Sequence, residues 1–206
     1  MDTDSIVKMG RYGLLNAFEA LAIAQGHPRP FRRLFEIKRK IDSARPNPTK
    51  SIFGTKIALE MCWSFAADCV EIPRAESNPV LEALLDIDGI DPGEALLLEY
   101  AVRNPNALLV SGDKRMIRAL CGPDGAAFHA QVLGRVVHLD RIVQVLGAQA
   151  NGWATVRAGI VGAPGCDTAI HDAVAVQHND AVAQQRLLTL ASNSEAASRG
   201  LLRAAL

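Results

Sequence analysis

A few carboxylates stand where the local sequence singles them out. Asp113 follows the apolar run Ala107 to Ser111 and the turn residue Gly112. In a parallel α/β sheet, ligands bind at the carboxyl edge of the strands, so a carboxylate there can face a ligand or a metal. It can equally cap the next helix, and the two roles are compatible. Glu94 lies three residues after Asp91, with Pro92 between them. That pattern is a capping box at a helix start, which accounts for Glu94 without any chemistry. Asp2 and Asp4 form a D-x-D pair beside the N-terminus. Taken alone, such residues are ordinarily solvated.

A second group is basic. Arg29, Arg32, Arg33, Lys38, Arg39 and Lys40 fall within twelve positions, interleaved with Phe31, Leu34, Phe35 and Ile37. Arg32, Arg33, Lys38, Arg39 and Lys40 are the candidates to track a phosphate backbone, with Phe31 and Phe35 stacking on bases. The spacing serves an amphipathic element with solvated charges and buried rings at least as well. His171 and His178 sit seven apart on an expected helix and share a face, but no third ligand is placed by spacing. Cys166 precedes Asp167, an expected N-cap, and a nucleophilic role for it is disfavoured.

The elements that must position these groups are set by composition. The chain has 206 residues, 49% hydrophobic and 21% charged. That allows a sizeable core and argues against disorder. Basic and acidic residues number 22 each, which argues against a generic polyanion binder but not against a local basic patch. The four cysteines, Cys62, Cys69, Cys121 and Cys166, form no C-x-x-C pair and read as reduced thiols in a cytoplasmic protein. No basic region followed by an apolar core opens the sequence, so no signal peptide is expected. No apolar run reaches about 18 residues, so no membrane partner is expected.

Along the chain, residues 1–24 read as the end of a strand or a loop and then a helix bearing Leu14, Leu15, Phe18, Leu21 and Ile23. Helical composition returns over 55–68, a short strand fits 69–73, and a helix fits 79–85. A helix from Asp91 to about Arg103 stops at Asn104-Pro105-Asn106. A buried strand is expected over 107–111, a helix from Asp113 through Cys121, a strand over 134–140, and helices over 141–149 and 168–192. Residues 193–206 read as a short terminal helix or a frayed end.

Taken together, Asp2-Thr3-Asp4-Ser5-Ile6-Val7-Lys8, then Gly93-Glu94-Ala95, then Leu108 to Arg115 (LLVSGDKR) resemble the PIN-like domain family over roughly residues 1 to 120. The resemblance implies an α/β fold: a three-layer α/β/α arrangement with a central, mainly parallel sheet over 1–124. A mostly helical C-terminal extension over 125–206 would pack on it. It implies a ribonuclease dependent on Mg²⁺ or Mn²⁺, with Asp2, Glu94 and Asp113 as acids and Asp4 supporting the metal. Glu60 is the candidate for the remaining catalytic acid, with Glu36 as competitor. RNA, an antitoxin protein and a second copy are the partners implied. Chemically, hard cations take oxygen ligands, and Mg²⁺ is held by a few carboxylates, water and phosphate. Carboxylates crowded together without a metal repel one another and gain pKa.

Two other readings stay open. A PIN-like protein could bind RNA or a partner without cutting. Alternatively, Asp2-Thr3-Asp4 resembles the nucleophile motif of haloacid-dehalogenase-like phosphatases, with Gly112-Asp113 as the late metal-binding motif. In either family an apolar strand precedes the first aspartate; in the sequence given only Met1 precedes Asp2, so either the true start lies upstream or the first strand is stunted.

Overall fold

Asp2 does not end a strand; it starts a helix. Its carboxylate accepts from the Ser5 amide and caps α1 (Thr3–Arg11). Gly13 then turns the chain with a positive φ into α2 (Leu15–Ala24). The computed structural model describes residues 1–27, 29–73, 78–175 and 179–203. His178 and the last three residues lie outside these segments.

The basic segment divides into two parts, β1 (Arg32–Arg33) and α3 (Phe35–Ala44). Thr55 caps α4 (Lys56–Asp68) through the Ala58 amide, and β2 (Val70–Glu71) follows. Asn78 caps α5 (Pro79–Leu85) with Pro79 at the first helical position. Asp91 and Glu94 make the full capping box of α6 (Pro92–Arg103). Then come β3 (Leu109–Ser111), α7 (Lys114–Cys121) capped by Asp113, α8 (Ala126–Val132) and β4 (Val136–His138). The remainder is helical: α9 (Leu139–Ala148), α10 (Gly152–Gly162), α11 (Thr168–Val174) and α12 (Asp180–Ala197).

The expected three-layer α/β/α fold with a central sheet is therefore corrected. The described residues are mostly helical, with two separate two-stranded parallel pairs, β1–β2 and β3–β4. The strands are two or three residues long, too short to form a sheet that dominates the architecture. Their apolar runs are brief, and good caps lead almost at once into helices. The expected strand at 69–73 shrinks to Val70–Glu71 and that at 134–140 to Val136–His138, because Leu139 and Asp140 already belong to α9. Helices α8 and α10 had no clear signal in the sequence. Residues 193–197 extend α12, and Leu202 bridges Val136 beyond it.

Successive residues of β3 and β4 point to opposite sides. Val110 and Val137 join an apolar cluster with Ile6, Phe18, Phe65, Val143 and Ile160. Leu109 and Val136 join a second cluster with Leu84, Leu98, Met116 and Leu120. This pair thus separates two bodies of helices. Between the two strand pairs lies an extended stub: the Met1 amino group donates to the Arg32 carbonyl (3.0 Å), and the Asp2 amide donates to the Val110 carbonyl (3.0 Å). No helix among the described residues is long and apolar enough to cross a membrane.

Candidate functional site

The polar end of β3 brings together two of the sequence-predicted acids, Glu94 and Asp113, with Asp2 tied to the same turn. Ser111 ends the strand, Gly112 turns, and Asp113 caps α7 through the amides of Arg115 and Met116. The Gly112 amide donates to Asp2 Oδ2 at 3.0 Å, which ties the start of α1 to the same turn. From the neighbouring helix, Glu94 enters with only 5% of its surface exposed. Its Oε2 accepts from the Asp91 amide at 2.8 Å. Its carboxyl also hydrogen-bonds to Asp113.

Two carboxyl groups in hydrogen-bond contact must share a proton. Burial is the largest influence on Glu94 and raises its pKa. The Asp91 amide opposes this, and the contact with Asp113 and the charges of Asp113 and Asp91 add to it, leaving Glu94 at about 8. Burial also pushes Asp113 upward. The hydrogen bond from Glu94, the Arg115 and Met116 amides and the Arg115 charge outweigh burial and hold Asp113 below the usual carboxylate range. At neutral pH the pair is therefore one protonated acid donating to one carboxylate, titrating as a unit.

The other predicted residues are placed differently. Asp2 is buried and both of its oxygens accept backbone amides, from Ser5 and Gly112. Asp4 is 63% exposed and paired with Lys8, whose ammonium also bonds Asp167. Glu60 is 61% exposed on α4 and paired with Lys56. Glu36 is exposed in the first turn of α3. Among the described residues, no group of three or more His, Cys, Asp or Glu side chains could hold a metal ion. The expected four-acid ligand set is thus not gathered; Glu94 and Asp113 are the two that meet.

The basic candidates separate as well. Arg33 is buried and spent internally: its Nε donates to the Ala66 carbonyl at 2.8 Å, and its guanidinium meets Glu71. The Arg32 guanidinium lies 5.9 Å from the Tyr100 ring centre. Lys38 and Arg39 are exposed on α3 and Lys40 is half-buried. Phe31, a proposed base-stacking ring, instead stacks on Phe65 with centres 5.9 Å apart. Leu34, just before α3, is the nearest neighbour a side chain on Gly93 would meet, so the start of α3 abuts the start of α6.

Sequence reasoning missed one cluster. Asp140, 1% exposed, lies 3.2 Å from His138 Nδ1 and 3.3 Å from Lys114 Nζ, and accepts from Ser194 Oγ at 3.0 Å. Burial pushes its pKa up, but His138, Lys114 and Ser194 outweigh that and hold it low. Ser111 pairs in register with His138, so this cluster stands at the same end of the strand pair as Asp113. A signal was present: Asp140 follows the run GRVVHL much as Asp113 follows ALLVSG. His138 Nε2 and the Ser5 hydroxyl are buried with no hydrogen-bond partner among the described residues.

No protein-family model, no curated protein and no solved structure matches this chain.

Proposed function

We propose that the chain is a PIN-like, Mg²⁺- or Mn²⁺-dependent ribonuclease, with Glu94 and Asp113 as its metal-holding acids. The observation that carries this reading is the carboxyl pair at the end of β3, where Glu94, buried and held by its capping box, lies beside Asp113, held by two amides of α7. The donor set fits a hard cation: it is all oxygen, and Mg²⁺ commonly takes one or two carboxylates and fills its remaining positions with water and phosphate. A bound ion would lower the pKa of a coordinated water and neutralise charge on the phosphate oxygens. The protein's own groups supply the rest. Asp113 is fixed by two amides of α7, and Glu94 by its capping box, so both carboxyls are held in place beforehand. Lys114 is the nearest cation in sequence, half-exposed beside Asp140. Lys38, Arg39 and Lys40 on α3 offer a phosphate track, and the contact of Leu34 with Gly93 brings the start of that helix to the acidic pair. A cytoplasmic location, an antitoxin partner and a homodimer accompany this reading; the four free thiols suit the location.

The test is cleavage of a fluorescent single-stranded RNA with Mn²⁺, by wild type and by Asp113→Asn. Asparagine keeps the helix cap while removing the charge. Cleavage by wild type that falls at least a hundredfold in the variant supports the reading. Equal cleavage by both, or none by either with folded protein, overturns it.

A second reading, an RNA- or protein-binding module that does not cut, is favoured by one observation: Asp2 spends both oxygens on backbone amides. The same observation disfavours the phosphatase reading, in which Asp2 would be a free nucleophile. Absence of phosphomonoester hydrolysis by folded protein would dispose of that reading.

A further inference from the structure

The outer face of α3 carries charge that the fold leaves unused. Ile37, Ile41 and Ala44 turn inward, so the helical period puts Lys38, Arg39 and Ser43 outward and Lys40 at the edge. After the helix, Pro46 and Pro48 lead into one short 3-10 turn, Pro48–Lys50. Its backbone is held in place: the Lys50 amide donates to the Asn47 carbonyl and the Ser51 amide to the Pro48 carbonyl. Ser51 Oγ donates to the Pro48 carbonyl at 2.6 Å and accepts from the Phe53 amide. Phe53 is fully buried and pins the segment to the core. Lys50 therefore stands on a fixed piece of chain facing α3.

Between α3 and this turn lies a depression of about 430 Å³, lined by Arg39, Lys40 and Lys50 together with Ser43, Ser51 and Ile52. No acid is among its lining residues. Residues 35–57 hold six basic residues against two acids, in a chain whose formal charge is zero. The other side-chain cations of the first 68 residues are spent. Lys8, Arg29, Arg33, Arg45 and Lys56 pair with acids, Arg11 donates to the Pro164 carbonyl, and Arg32 lies over Tyr100. Lys38, Arg39, Lys40 and Lys50 form no hydrogen bond or ion pair among the described residues. Like charges gathered without a counter-charge repel one another, and three of these four line the same depression.

The number of cations selects the ligand. A phosphodiester inside a nucleic-acid strand carries a single charge, which one or two cations match. A phosphomonoester carries nearly two charges at neutral pH and three strong acceptor oxygens, which suit three cations and the outward hydroxyl of Ser43. Ile52, exposed at the same wall, adds apolar surface that an inorganic ion would not use and a sugar or base would. We propose that this depression seats a phosphomonoester dianion carried on a nucleoside, at the end of an RNA or on a free nucleotide, with Arg39, Lys40 and Lys50 as its cations. The seat shares Arg39 and Lys40 with the phosphate track of the nuclease reading, but it calls for a terminal phosphate and needs no metal at Glu94 and Asp113.

The test uses a ten-nucleotide single-stranded RNA, labelled internally with fluorescein and bearing a 5′-phosphate, a 3′-phosphate or hydroxyls at both ends. Each form is titrated with the full chain in EDTA at pH 7.5 and read by anisotropy. One phosphorylated form should bind at least tenfold tighter than the hydroxyl form. That preference should vanish in Lys50→Ala and in Arg39→Ala, both exposed positions. Lys38→Ala, outside the depression, should weaken all three RNAs alike and keep the ratio. The preference should shrink at pH 5.5, where the monoester has lost most of its second charge. Calorimetric titration with adenosine 5′-monophosphate and with adenosine separates the two sources. Binding of the nucleotide but not of adenosine, lost in Lys50→Ala, assigns the seat to free nucleotides. Silence at millimolar nucleotide, with the RNA preference intact, assigns it to the RNA end. Equal binding of the three RNAs with no nucleotide binding would reduce the face to a general polyanion surface and overturn the proposal. So would a preference, or a nucleotide signal, that survives both Lys50→Ala and Arg39→Ala.

Discussion

Replacing Glu94 by glutamine should remove a pH dependence of stability that the wild type carries. A carboxyl held at about 8 instead of its ordinary 4.5 keeps a proton in the folded state that the unfolded chain has already released. The stabilisation is therefore complete below pH 4.5 and is lost as pH rises through about 8. At about 1.36 kcal/mol per pH unit the ceiling is roughly 5 kcal/mol. Asp113 is 33% exposed and titrates jointly with Glu94, so solvent screening reduces the expected loss to about 2 kcal/mol between pH 5 and pH 9. Asp113 itself, held low, acts in a separate window: its contribution is present above its ordinary 3.8 and lost in stronger acid. The Glu94→Gln side chain keeps the capping box and resembles the protonated acid, so that variant should show a flat profile over the same range. In a chain of this size, 2 kcal/mol moves Tm by about 4 to 8 °C. Urea unfolding at five pH values, for wild type and Glu94→Gln, provides the assay. Wild-type and variant curves that stay parallel within about 0.5 kcal/mol from pH 5 to pH 9 would refute a shared proton between Glu94 and Asp113.

Three further outcomes are expected. Asp2→Ala removes the cap of α1 and strands the Gly112 amide, which should cost about 2 to 3 kcal/mol in urea unfolding. Gly159→Ala would place a Cβ 2.0 Å from the Tyr12 carbonyl oxygen, so α10 must shift; a net loss of about 1 to 3 kcal/mol should outweigh the gain in helix propensity. Replacing Lys38, Arg39 and Lys40 together by Ala should weaken RNA binding and flatten its salt dependence by about two to three counterions, measured by filter binding, with Tm nearly unchanged because two of these side chains are exposed and none lies in the core.

The sequence was most legible where a local rule suffices. Asp91, Pro92 and Glu94 marked the start of α6, and Asn104-Pro105 marked its end; Asp113 after Gly112 marked α7. These are short-range patterns of capping and chain breaking. The strand content was overestimated because an apolar run such as GRVVHLD can start a strand and still pass into a helix, as it does at Leu139. Helix α10 escaped notice because Gly152, Gly159 and Gly162 lower its propensity; its position depends on packing, with Gly159 set against the Tyr12 carbonyl. The meeting of Glu94 and Asp113 was anticipated only through a resemblance, since no spacing rule brings together residues on different helices. Asp140 and His138 were missed for the same reason, although the acid after a strand was there to be read. Glu60 had helical spacing but no motif, and it falls on the outer face of α4.

The central claim is that Glu94 and Asp113 form a cation seat holding a proton in the cation's place. A thermal melt with and without millimolar Mn²⁺, run at pH 8.5 and pH 6 on wild type, Glu94→Gln and Asp113→Asn, tests it most directly. Metal that binds only the folded state must raise Tm, and metal that displaces a proton must do so more strongly at the higher pH. The account predicts a rise in wild type that is larger at pH 8.5 and vanishes in both variants. An unchanged wild-type Tm at both pH values, or the same rise in all three proteins, would contradict it.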